Sequence, residues 1–122
     1  LTIAVEAKLA LEIGSTVILP AAIRYQTELA QNVATMKAAG FDAETAVLAE
    51  VSTQIADLNA ALSGLKTALA GHAEGSLAEG LHARDHLLPA MDAVRAAADK
   101  LESVVADDLW PLPTYQEMLF IL

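Results

Sequence analysis

The amino-acid sequence predicts an all-α protein, an antiparallel bundle of three long helices followed by an apolar tail. Hydrophobic residues make up 55% of the chain and aromatic residues 4%, so Ala and Leu, the strongest helix formers, supply most of the apolar content. Apolar residues also recur every three or four positions in long stretches separated by glycines, which is the spacing of one buried helix face. We therefore expect a single helical domain over residues 1–122.

The first helix is predicted over about residues 2–39. Gly40 follows it, and glycine is the usual residue in the left-handed position that ends a helix. Pro20 lacks a backbone donor and its ring crowds the carbonyl four residues earlier, so we expect a kink there. Residues before Glu12 should overhang the next helix. Because they are apolar on all sides, we expect them to pack on the third helix, on another subunit or on polypeptide outside this sequence.

The second helix is predicted over about residues 43–70, with Asp42 as its N-cap. Its apolar residues follow alternating spacings of three and four, which is a heptad pattern that buries one narrow face against neighbouring helices. This pattern comprises Leu48, Val51, Ile55, Leu58, Leu62, Leu65 and Leu69.

The third helix is predicted over about residues 77–106, and Ser76 and Glu79 form a capping-box pattern at its start. Pro89 should kink this helix as Pro20 kinks the first. The heptad spacing of the second helix recurs in the third, in Leu87, Met91, Val94, Ala98, Leu101 and Val105. Pro111 prevents the helix from continuing, which leaves residues 107–122 as a tail.

Composition excludes several classes of function. With 7 Lys+Arg against 16 Asp+Glu, the formal net charge is -9, so we expect no nucleic acid and no anionic membrane surface as a partner. The absence of cysteine excludes a disulfide scaffold, a thiol nucleophile and a Cys-ligated metal. No stretch of transmembrane length is free of charge, and no signal peptide is recognisable. Since the sequence does not begin with Met, we expect it to be part of a longer protein.

Glu79, His82 and His86 share one face of the third helix and are candidate ligands for a divalent metal. The competing interpretation, which we favour, is an exposed face with ordinary side-chain pairs, because no further ligand is recognisable. His72 lies between glycines and is interpreted as a loop residue. No serine lies in a nucleophile-elbow context and no phosphate-binding loop follows a strand. We therefore assign no catalytic, cofactor-binding or metal residue, and expect no enzyme activity from these residues alone.

Two apolar segments are candidate contact surfaces, because exposed apolar patches usually mark interaction sites. One is the start of the first helix and the other is the tail. The alternative for the tail is that it folds back and caps its own bundle, and the tail can do this and form a contact surface at the same time. The candidate residues are Ile3, Leu9, Ile13, Trp110, Tyr115 and Phe120.

Three stretches of the sequence resemble a known family. They are Ile-Leu-Pro-Ala-Ala-Ile-Arg-Tyr-Gln at residues 18–26, Arg-Asp-His-Leu-Leu-Pro-Ala-Met-Asp-Ala-Val-Arg at 84–95, and Leu-Trp-Pro-Leu-Pro-Thr-Tyr-Gln-Glu-Met-Leu-Phe at 109–120. In order and spacing they resemble the C-terminal helical region of type III glutamine synthetases, which are glutamate–ammonia ligases. The 109–120 stretch is the most specific of the three.

The resemblance implies a parent enzyme that makes glutamine from glutamate, ammonia and ATP, with Mg or Mn ions, in a cytoplasmic homo-oligomer. It also implies that the catalytic, nucleotide and metal ligands lie upstream, so none is carried over to this sequence. The implied role is structural: the domain supports the upstream catalytic region of the same chain and contributes subunit contacts. Two alternatives remain open, a regulatory module that binds a small ligand or a metal, and a helical adaptor that docks a partner.

Overall fold

The computed structural model describes residues 2–72 and 77–105. Two five-residue π-helical turns, Gly14–Ile18 and Ala83–Leu87, lie between α-helices and join them into longer rods. Within the described ranges every regular element is helical, and three rods pack together without a strand. The predicted all-α fold class is confirmed. The α-helices are α1 (Ile3–Ile13), α2 (Leu19–Ala38), α3 (Ala46–Ala70), α4 (Leu77–His82) and α5 (Leu88–Glu102).

Rod 1 is residues 3–38, rod 2 is α3, and rod 3 is residues 77–102. In rods 1 and 3 a π turn ends two residues before the proline. The Leu19 N–H donates to the Gly14 carbonyl, and the Leu88 N–H donates to the Ala83 carbonyl. A proline cannot donate and crowds the preceding turn, and the wider π turn carries the chain past it. A kink was predicted at Pro20 and Pro89, and the structure has a π turn just before each proline.

Rod 1 ends in a tight reversal at Gly40. The Gly40 N–H donates to the Lys37 carbonyl at 3.1 Å and the Phe41 N–H to the Met36 carbonyl at 2.9 Å, the two bonds of a Schellman motif. This motif requires a left-handed residue, and Gly40 has a φ of 87°. Rod 2 begins only at Ala46, whose N–H donates to the Glu44 carboxylate at 3.0 Å. Glu44 therefore supplies the acceptor expected from Asp42.

The rods alternate in direction. Gln26 Nε2 donates to Ser52 Oγ at 3.0 Å, and further along, Gly14 of rod 1 lies against Leu62 of rod 2. Rods 1 and 2 are therefore antiparallel. A Cβ built on Gly14 would lie 3.7 Å from Val94 Cγ1, so all three rods meet at the first π turn. Because α1, which precedes Gly14, contacts the second π turn, which precedes Val94, rod 3 runs parallel to rod 1.

The core follows the predicted heptad pattern of rod 2. Its central residues are buried, and Leu48 and Leu69 at the two ends are half-buried. Rod 3 presents a matching apolar face. Each fully buried Leu, Met or Val side chain stabilises the fold by about 1.5–3 kcal/mol. The largest fully buried side chains are Leu58, Leu65, Leu87, Met91, Leu101 and Val51.

The start of rod 1 packs within the bundle. Ala4 and Ala7 are buried, and α1 contacts α3, α5 and the second π turn. We expected this apolar segment to pack on the third helix, on another subunit or on polypeptide outside this sequence. The structure shows that it packs on the third helix, which is rod 3. No helix in the described part of the chain is long and apolar enough to cross a membrane.

Candidate functional site

An apolar stripe runs along the outer side of α1. Val5, Leu9 and Ile13 are spaced by four residues, which places them on one helix face, and they are 39%, 45% and 38% exposed. Ala4 and Ala7 occupy the opposite, buried face. We call these three residues the α1 stripe. Exposed apolar side chains grouped on one helix face are a common feature of contact surfaces.

The structure separates the contact candidates proposed for α1. Leu9 and Ile13 belong to the α1 stripe, whereas Ile3 is partly buried and packs against the bundle's own core. Sequence reasoning missed Val5, although its spacing of four from Leu9 was the available signal. Glu6 and Glu12 are exposed and lie seven residues from Ile13 and Val5, so they share this side of the helix. The stripe thus has the polar rim common at protein interfaces.

The three histidines gather where rod 2 meets rod 3. His72 Nδ1 lies 2.7 Å from His82 Nδ1, and the ring centres of His82 and His86 are 4.9 Å apart. His72 Nε2 also lies 3.7 Å from Glu79 Oε1, and the His72 side chain is only 4% exposed. The interpretation of His72 as an ordinary loop residue is therefore incomplete, because its side chain contacts His82 and lies near Glu79 on rod 3.

The chemistry of this cluster depends on the protonation of His82. Desolvation lowers the pKa of His82 below its ordinary value, and the neighbouring His72 and His86 lower it further. Two neutral imidazoles can share a hydrogen bond, in which one Nδ1 donates and the other accepts. The geometry therefore supports a hydrogen bond between His72, at the end of rod 2, and His82, near the start of rod 3. We call this pair the histidine clasp.

Metal ligation requires free imidazole lone pairs that converge on one point. Across residues 2–72 and 77–105, no three His, Cys, Asp or Glu side chains are arranged to hold a metal ion. The candidates Glu79, His82 and His86 share a neighbourhood with His72, but the described geometry does not form a ligand set from them. Trp110, Tyr115 and Phe120, the tail candidates, lie outside the described residues, as does Ser76 of the predicted capping box.

Comparison with known proteins connects this fold to a family. Residues 1–37, which include the α1 stripe, match the family model described as the glutamine synthetase C-terminal domain. The glutamine synthetase of Bacteroides fragilis (strain YCH46) is 27% identical over 113 residues, which cover 84% of this chain and 16% of that protein. The type-3 glutamine synthetase of Dictyostelium discoideum is 28% identical over 98% of this chain and 18% of its own length.

This chain therefore spans less than a fifth of the length of these curated relatives. No solved structure matches it significantly. The matched regions together reach almost the whole chain, and they agree with the resemblance carried by the Pro-containing helix segments. The predicted resemblance is confirmed: this chain is similar to the glutamine synthetase C-terminal domain over residues 1–37, and to a type-3 glutamine synthetase over 98% of its length.

Proposed function

We propose that this chain is the structural domain that supports the catalytic region of a glutamine synthetase and contributes to contacts between its subunits. The observation that carries this proposal is the α1 stripe. Its helix already buries Ala4 and Ala7 in the bundle, so Val5, Leu9 and Ile13 are available to a second surface. A small bundle that leaves such a stripe outward is suited to assembly.

The parent enzyme would make glutamine from glutamate, ammonia and ATP in the cytoplasm, with Mg or Mn ions. The names of the relatives and of the family model support this assignment. Catalytic, nucleotide and metal ligands would lie in the upstream region, since the relatives are several times longer than the matched segment. We expect this chain alone to bring no catalytic residue and no cofactor.

Sedimentation of the purified chain tests the contact role. We expect association that increases with protein concentration and that the double variant Leu9→Ser, Ile13→Ser weakens at least several-fold. Salt near physiological strength should be present, since it screens the repulsion between chains of net charge -9. The matched control is Leu81→Ser, Leu88→Ser, because these residues are 43% and 38% exposed and lie on rod 3.

Three results would contradict the proposal. The first is a chain that stays monomeric at every concentration, and the second is association that both double variants weaken equally. The third is glutamine formation from glutamate, ammonia and ATP by the purified chain itself, because the domain would then carry a catalytic site.

A second candidate function is a regulatory module that binds a small ligand or a metal at the histidine cluster. The clustering of His72, His82 and His86 beside Glu79 favours it. Calorimetry with Zn²⁺ on the chain and on its His82→Ala, His86→Ala variant tests this candidate. Binding that the variant loses would support it, and the same heat from both proteins would remove it.

A further inference from the structure

The end of the hairpin formed by rods 1 and 2 extends beyond the described part of rod 3. Val94 lies beside Gly14, and rods 1 and 3 run in the same direction. Val105, the last described residue after rod 3, is therefore level with about residue 25 of rod 1, at the common rise of about 1.5 Å per residue. Among the described elements, the later part of α2 thus has rod 2 as its main neighbour.

An apolar strip continues along rod 1 past this level. Ile18 and Ala22 are buried at the centre of the bundle, and Tyr25 and Leu29, at spacings of three and four, pack against the same core. The pattern then continues into the hairpin end, where the side chains are half-buried. We call these residues the hairpin strip, and they are Leu29, Val33, Met36 and, from rod 2, Leu48.

The spacing shows that the hairpin strip extends the surface that rod 3 covers in the rest of the bundle. Rod 3 buries the corresponding side chains at the centre, where three rods meet around Gly14 and Leu62. At the hairpin end, no described residue occupies the position that rod 3 has at the centre, which we call the third layer of the bundle. A strip of this kind loses hydrophobic stabilisation in proportion to the apolar area that stays wet.

The chain itself supplies a suitable segment at this position. Val105 is 6% exposed and belongs to the core, so the described part of rod 3 ends at the level where the hairpin strip begins, and residues 106–122 are the next in sequence. The segment is strongly apolar, with Leu109, Trp110, Leu112 and Tyr115 followed by the run Met118 to Leu122. Leu29 and Met36 are about 10 Å apart along the helix, which 17 residues of chain can span in any conformation.

We propose that residues 106–122 dock on the hairpin strip of their own chain and complete the third layer of the bundle. This assigns Trp110, Tyr115 and Phe120 to an intramolecular contact. The hairpin strip and the α1 stripe lie at opposite ends of rod 1, so the proposal does not depend on the proposed subunit contact.

Fluorescence of Trp110 tests this docking, because Trp110 is the chain's single tryptophan and reports on this segment alone. We expect blue-shifted emission and weak quenching by acrylamide, both unchanged on dilution. The double variant Val33→Ser, Met36→Ser should shift the emission to the red and raise the quenching constant several-fold. The control Leu9→Ser, Ile13→Ser on α1 should leave both values as in the unmodified chain.

Three outcomes would overturn the proposal. They are water-exposed Trp110 in the unmodified chain, shielding that is lost on dilution, which would assign the contact to a second copy, and shielding that survives the hairpin double variant. If circular dichroism shows that this variant loses helix, Val33→Ala, Met36→Ala replaces it, because alanine retains helix propensity. The same criteria then apply to the alanine variant.

A crosslink gives an independent measurement, since the chain contains no cysteine. In the variant Met36→Cys, Phe120→Cys, mild oxidation should yield a disulfide within one chain, seen as a faster-migrating monomer on a non-reducing gel. Disulfide-linked dimers, or no crosslink in a folded protein, would contradict the intramolecular docking.

Discussion

Gly14 lies so close to Leu62 that a Cβ on the glycine would be 2.6 Å from Leu62 Cδ2. This is below the distance at which two carbon atoms pack without displacement. Gly14 is the first residue of the π turn before Pro20, where rods 1, 2 and 3 meet. The absence of a side chain there lets the rods approach, so Gly14 acts as a packing residue.

The variant Gly14→Ala should therefore destabilise the bundle. Overpacking costs about 1–3 kcal/mol, and alanine recovers up to about 1 kcal/mol of helix propensity. We expect the free energy of unfolding in urea to fall by about 1 kcal/mol. Gly64→Ala in α3 is the matched control, because a Cβ there meets nothing within 4 Å; it should stabilise by about 0.5–1 kcal/mol. Equal stabilisation by both variants would contradict the close approach.

Truncation of Leu58 tests the position of the core. Its side chain is fully buried on the heptad face of rod 2, and Leu58→Ala should lower the free energy of unfolding by about 2–5 kcal/mol. Leu81→Ala, at a leucine that is 43% exposed, should change it by less than about 0.5 kcal/mol. Similar losses from the two variants in urea unfolding would refute the assigned burial.

The histidine clasp predicts a pH dependence of stability. The pKa of His82 is lowered in the folded chain from its ordinary 6.5, first by desolvation and then by His72 and His86, so the unfolded chain takes up this proton more readily. The clasp's stabilisation is therefore present above about pH 6.5 and is lost as the pH falls toward the folded pKa. His82→Gln should have a melting temperature that changes less between about pH 7.5 and 5.5 than that of the unmodified chain. Identical pH profiles would argue against the clasp.

The side chain of Gln54 carries an unsatisfied oxygen. Its Nε2 donates to Glu50 Oε1 at 3.3 Å, but among the described residues Gln54 Oε1 is buried without a hydrogen-bond partner. An unpaired buried acceptor costs about 1–3 kcal/mol, so Gln54→Leu should raise the midpoint of urea unfolding. Gln26→Leu is the comparison, because it breaks the bond to Ser52 Oγ and should cost about 0.5–1.5 kcal/mol. A loss of stability in Gln54→Leu would show that the oxygen has a partner.

Much of the bundle follows from local patterns. The spacing of Leu58, Leu62 and Leu65 predicted the buried face of rod 2, and Gly40 marked the end of rod 1, because both depend on residues close in sequence. The prolines showed where the hydrogen-bond ladder is interrupted, but not that a π turn repairs it. That choice depends on packing, since Ile18 and Leu87, each the last residue of a π turn, are buried in the core.

The candidate site was predictable only in part. Leu9 and Ile13 were expected at a contact surface, but an apolar segment by itself does not show which side faces the bundle. Only the packing of Ala4 and Ala7 on α3 and α5 determined that the face with Val5 is outward. The grouping of His72 with His82 depends likewise on how rod 2 packs against rod 3.

The sequence by itself determined the helical class, the order of the three rods, the buried faces of rods 2 and 3 and the family resemblance, because these depend on local propensity and spacing. The tertiary structure decided the level at which the rods meet, the contact of Gly14 with Leu62 and the faces left uncovered. Those features depend on how side chains from distant parts of the chain pack together. Such packing involves two or three helices at once, so the pattern of a single helix does not predict it.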